Sequence, residues 1–166
     1  MSAQARASER ISLRRLAMSD VPAMHAIFAD PEAMRYWSRL PHTDIAETEA
    51  WVARTIAGVT AGEADDYAVE LDGALVGRVG LWRGGEIGII FAPSVWGTGV
   101  AREALSALIA RARAKGVCSV MADIDPRNLR VVRFLEKFGF RKTGHARNTY
   151  RLGEQWTDSD YLTLEL

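Results

Sequence analysis

The chain has 166 residues, 48% hydrophobic and 25% charged, which suits one soluble domain with a single core. Its 21 basic residues balance 21 acidic ones, so no strong field marks nucleic acid or an acidic membrane surface as a partner. Cys118 is the only cysteine, which excludes an intrachain disulfide and a cysteine-built metal cluster and makes a reducing, cytoplasmic setting the natural expectation. No apolar run approaches the roughly 20 residues of a membrane span, and the polar start lacks a signal-peptide core.

In chain order, residues 1–10 read as a flexible leader and residues 11–166 as a single domain. Ile11 to Leu16 alternates apolar and polar, as a half-buried strand does. Ser19 offers an N-cap and Pro22 a first turn for a helix carrying Met24, Ile27 and Phe28. Asp30-Pro31 ends that helix, and an aromatic stretch from Met34 to Trp37 follows. Thr43 then caps a helix with Glu47 near the capping-box position and Trp51, Val52, Thr55 and Ile56 on one stripe.

Tyr67–Leu71 and Ala74–Leu81 flank Asp72-Gly73, a strong hairpin signal, and Gly84-Gly85 reverses the chain again before a strand from Glu86 to Phe91. A turn from Trp96 to Gly99 opens an amphipathic helix that Gly116 ends. A strand from Val117 to Ile124, a helix from Pro126 to Gly139, and strands Phe140–Tyr150 and Tyr161–Leu166 complete the chain. The class is α+β, with a mixed, mostly antiparallel sheet flanked by helices and one βαβ unit in the second half.

The turn holds most of the chemical information. Glycines at 97 and 99 let successive N–H groups converge where the following helix directs its positive end, an arrangement suited to a pyrophosphate. A dinucleotide-binding fingerprint is the rival, but Arg102 stands where its third glycine belongs, and the motif follows hairpins rather than a run of alternating strands and helices.

The segment Glu86-Ile-Gly-Ile-Ile-Phe-Ala-Pro-Ser-Val-Trp-Gly-Thr-Gly-Val-Ala-Arg-Glu-Ala-Leu105 resembles the acetyl-CoA motif of the GNAT superfamily. Its wording is closest to the branch of ribosomal-protein N-terminal acetyltransferases. A second block, Asn128-Leu-Arg-Val-Val-Arg-Phe-Leu-Glu-Lys-Phe-Gly-Phe140, is similar to the family's helix ending in Glu-Lys-x-Gly-Phe. The resemblance spans nearly the whole chain. It implies a GNAT fold in which the strand ending near Phe91 splays from the next one. Pantetheine would pair with the backbone of Ile90, Phe91 and Ala92, and pyrophosphate would sit on the amides of Trp96, Gly97, Thr98, Gly99, Val100 and Ala101. Asn128 would reach the pantetheine arm and Arg133 the nucleotide phosphates.

The implied activity is acetyl transfer from acetyl-CoA, as cosubstrate, to a primary amine by direct attack in a ternary complex. Glu86 is the first candidate base, its alternative being a solvated strand-edge carboxylate. The family often places a Ser or Tyr where Val131 and Leu135 stand, so the proton for the departing thiolate falls to water or Tyr150. A backbone N–H near Phe91 or Ala92 is the candidate polariser of the thioester carbonyl.

Tyr36, Trp37, His42 and Trp82 are the candidate acceptor-binding residues, while Trp51 and Trp156 read as structural. The scattered histidines fit no metal-ligand spacing, so no metal is expected. At pH 7 an α-amine costs about 1 kcal/mol to deprotonate and a lysine about 5, which favours a protein N-terminus or a free amino acid as acceptor. The alternatives are an aminoglycoside, a polyamine, or a coenzyme A-binding module with little turnover. Homodimers are common in such folds, and no interface is legible in the sequence.

Overall fold

A computed structural model describes residues 10–166, so nearly all of the expected leader lies outside the described residues. Seven strands and four helices follow in the order β1 (Ile11–Arg14), α1 (Val21–Phe28), α2 (Ile45–Thr60), β2 (Ala64–Leu71), β3 (Ala74–Trp82), β4 (Ile87–Phe91), α3 (Val100–Ala114), β5 (Ser119–Ile124), α4 (Leu129–Glu136), β6 (Arg141–Leu152) and β7 (Gln155–Glu165). They form a four-stranded sheet, β1-β2-β3-β4, and a three-stranded sheet, β5-β7-β6, each antiparallel throughout.

The two sheets meet at β4 and β5, which run parallel because α3 carries the chain between them. Glu86 and Met121 form a parallel bridge there, and the Met121 N–H donates to the Gly85 carbonyl at 2.8 Å. Beyond that bridge the strands are unpaired, so the expected splayed pair is present as a wedge with its vertex at Glu86.

Alternation along β3 sorts side chains to two faces. Val79 and Leu81, with Tyr67, Val69, Ile87 and Phe91, build one core against α3 residues Ala104, Leu105 and Leu108. On the other face Ala68 and Ile90 join a second core made with α1 and α2, including Met24, Phe28 and Val52. Each residue pair therefore contributes one side chain to the layer over α3 and one to the layer under α1 and α2.

Several boundaries differ from expectation for local reasons. A short 3-10 turn at Met18–Asp20 precedes α1, and Asp20, not Ser19, holds that corner by accepting from the Ala17 N–H at 2.8 Å and pairing with Arg14 at 2.8 Å. The cap of α2 is Asp44 instead of Thr43. Its carboxylate accepts from the Ala46 N–H, and Glu47 reaches back to the Thr43 and Asp44 amides at 2.8 and 3.0 Å. Helix α4 starts at Leu129, three residues after Pro126, because Asn128 caps it. Strand β7 begins at Gln155, six residues earlier than its apolar stretch suggests, since β6 supplies it with a partner along this length.

Candidate active site

On the α3 side of the wedge the site is made of backbone. Gly97 (φ 78°) and Gly99 (φ 91°) adopt left-handed conformations that side chains resist, and a Cβ on either would meet open space. Gly99 is the N-cap of α3 and provides no side-chain cap, so the first N–H groups of the helix have no protein acceptor among the described residues. Within the expected cradle, the Trp96 amide donates to Pro93 O at 3.1 Å and the Thr98 amide to Val95 O at 3.4 Å. Gly97, Gly99, Val100 and Ala101 keep their N–H groups, and these fit a diphosphate. Arg130, which the sequence did not single out, lies over the Trp96 ring at 4.6 Å and joins α4 to this loop.

The β4 edge narrows the candidates for carbonyl polarisation. Ala92 donates its N–H to Val76 O at 2.8 Å, so its amide belongs to the sheet. Hydrogen-bonded and non-hydrogen-bonded pairs alternate in an antiparallel ladder, which puts Phe91, opposite Gly77, in the pair whose N–H and C=O point away from β3 into the wedge. The Phe91 carbonyl accepts from Trp96 Nε1 at 3.0 Å. Of Ile90, Phe91 and Ala92, only Phe91 directs an N–H toward the wedge. The β3–β4 register runs without a bulge; the irregularity lies in β2, between Val69 and Glu70.

Asn128 accepts the Val131 N–H at 3.4 Å as the α4 cap. Arg133 is exposed on the same helix, Val131 is half-buried and Leu135 fully buried. Neither aliphatic residue can supply an acid to the wedge.

At the vertex stands Glu86, its carboxyl pushed above the ordinary range by burial and then by the neighbouring charge of Asp123. Asp123 accepts from Tyr150 Oη at 2.9 Å. Burial and that hydrogen bond push the Tyr150 phenol well above its usual range, so it holds its proton on Asp123 and is a poor acid for a departing thiolate. Tyr150 thus orients Asp123 instead. From sequence Asp123 reads as the end of a strand, and with Asp125 it lies about 20 residues beyond the glycine turn, where the dinucleotide rival would place its ribose carboxylate; no role beside Glu86 follows from that.

Glu86 also lines a cavity of about 270 Å³ beneath α1 and α2. Of the four candidate acceptor-binding residues, Trp37, His42 and Trp82 line it too, whereas Tyr36 does not. The Tyr36 ring lies near Arg127, 5.9 Å from its guanidinium carbon, on the β5–α4 connection. Trp82 approaches α2 where Gly58 leaves room: a Cβ there would stand 3.3 Å from the ring. His42 is buried and its Nδ1 lies 2.8 Å from Thr48 Oγ1, which also meets His25 Nδ1 at 2.8 Å. Burial lowers the His42 pKa, which keeps the ring neutral at pH 7.

Arg39, Arg54, Arg78 and Trp51 also line the cavity, none of them foreseen there. Arg78 is 2% exposed and ion-paired with buried Asp66, its guanidinium carbon 5.3 Å from the Trp51 ring centroid. Gly80 and Gly88 make room for it: a Cβ on Gly88 would stand 2.6 Å from Arg78 Nη1, and one on Gly80 would strike Asp66. Period two puts Arg78, Gly80 and Trp82 on one face, a pattern that marks a buried cation once the strand pairing is known. Among the described residues no three His, Cys, Asp or Glu side chains are grouped to hold a metal ion, and no helix is long and apolar enough to cross a membrane.

A family model described as the acetyltransferase (GNAT) domain matches residues 10–141. The chain belongs to the GNAT acetyltransferases. A curated relative, the L-methionine sulfoximine/L-methionine sulfone acetyltransferase of Pseudomonas paraeruginosa, is 28% identical, over 93% of this chain and 94% of its own. Among solved structures, the ribosomal L7/L12 α-N-protein acetyltransferase RimL in complex with coenzyme A superposes with a TM-score of 0.84 at 19% identity, covering 95% of each chain. The spermidine N-acetyltransferase of Vibrio cholerae, in complex with CoA and spermine, gives 0.80 at 22%, covering 94% of this chain and 95% of that one. This GNAT enzyme is therefore an acetyl-CoA-dependent N-acetyltransferase with the fold that its second half announces.

Proposed function

We propose that this GNAT enzyme acetylates an α-amine, on a free amino acid or a protein N-terminus, by direct attack in a ternary complex with Glu86 as base. One observation carries the reading: a carboxyl of raised pKa sits where the wedge holding Phe91 N–H meets the cavity beneath α1 and α2, lining that cavity while its residue stays open to solvent. A base of raised pKa is better matched to an ammonium of pKa about 7.8 than an ordinary carboxylate is, and poorly matched to a lysine near 10.4.

In this reading the amine enters between Trp37, Trp82 and Trp51 and gives its proton to Glu86. The Phe91 N–H meets the carbonyl oxygen as charge develops there. The thiol leaves as thiolate, which its pKa of about 8.5 permits without an acid from α4. The polyamine alternative is disfavoured by the arginines in the cavity, which repel a polycation.

The test is thiol release from acetyl-CoA with a panel of amino acids, N-terminal peptides, polyamines and lysine side-chain models. Turnover on α-amines at least tenfold faster than on the others supports the reading. Lysine side chains acetylated equally well would overturn it. Coenzyme A binding with no turnover on any amine would leave a binding module.

A further inference from the structure

The acceptor cavity adjoins a second of about 630 Å³, and the two share Ser38, Arg39, His42 and Arg54. Charge around this paired space is lopsided. Arg39, Arg54, Arg78 and Arg151 line it, against Glu86 and Glu47. Asp66 neutralises Arg78 from below, and Glu47 is engaged with the backbone that caps α2. His42 is neutral for the reason given above. Arg39 and Arg54 face the junction of the two chambers with no acidic partner among the described residues.

Arg54 is placed there by helical period. Glu47, Ala50, Trp51 and Arg54 fall on one stripe of α2, the stripe turned to the cleft. A guanidinium without a partner, beside a cavity that ends at a base, is a fork for a planar anion.

We propose that Arg54, assisted by Arg39, binds a carboxylate on the acceptor, so that the enzyme selects free amino acids over amines lacking an acid group. This rests on the α-amine reading of the same site, and it names which α-amines are taken.

The experiment pairs each common L-amino acid with its amide, for the wild type, Arg54→Gln, Arg54→Lys and Arg113→Gln, the last on the far end of α3. Thiol release gives kcat/KM, and calorimetry with coenzyme A present gives binding. The wild type is expected to prefer acid over amide at least tenfold for its best side chain. Arg54→Gln should cut that ratio at least tenfold, Arg54→Lys should restore part of it, and Arg113→Gln should leave it alone. Turnover with amides equal to acids would keep the enzyme and overturn the carboxylate site. Acid-selective binding that Arg54→Gln abolishes, without turnover, would keep the carboxylate site and sink the acetylation reading. Acids neither bound nor acetylated would overturn the carboxylate site.

Discussion

The two sides of the wedge solve recognition by opposite means. On the α3 side the groups on offer are the main-chain N–H groups of Gly97, Gly99, Val100 and Ala101, and side chains matter by being absent. On the α1–α2 side the cavity is built by side chains from separate segments, each held by its own packing: Trp37 from a loop, Arg54 from α2, Arg78 from β3, Glu86 from the entry to β4. A backbone site tolerates drift in side chains but needs its glycines. A side-chain site can change acceptor by single substitutions while the scaffold stays fixed.

The sharpest way to break the acceptor side is through its buried ion pair. Asp66→Ala leaves Arg78 charged and unpaired at 2% exposure, and should cost about 3–5 kcal/mol in denaturant unfolding. Chemistry alone is removed by Glu86→Gln, which should lower kcat/KM by about a hundredfold or more with calorimetric affinity for acetyl-CoA within a factor of two. The complementary break is Gly99→Ala. Forcing an L side chain to φ 91° costs about 1–2 kcal/mol, so acetyl-CoA affinity should fall about tenfold while the ranking of acceptors is kept. If Gly99→Ala altered acceptor ranking, or Glu86→Gln coenzyme binding, the division between the sides would be wrong.

The smallest effect sharpens the vertex. Glu86 must be ionised to act as base, so rate rises with pH through its raised pKa, and the Asp123 charge is part of what raises it. Asp123→Asn removes that charge and favours the carboxylate. The pH at which the kcat/KM profile steepens should therefore move down, while burial, the larger cause, keeps it above that of a free carboxylate.

How legible each side was in the sequence follows from the same contrast. Glycine spacing and a helix start are local, so the turn at 97–99 and the hairpins could be read from the chain, whereas the splayed strands were implied by the family resemblance; which amides stay free needed only the loop geometry. Nothing in the sequence marks Arg54 or Arg78, and Trp51 reads as structural. Their convergence depends on register between β2, β3 and β4 and on how α2 lies across them. Tyr150 was singled out for its hydroxyl, but its task was set by Asp123, a partner 27 positions away.

The Glu86–Met121 bridge has a mechanical consequence. Two sheets hinged at one end act as a lever: a change in the angle between them moves the mouth, near Phe91 and Ile124, far more than the pivot. Glu86, the proposed base, stands at that pivot, so breathing of the sheets would scarcely displace its carboxylate.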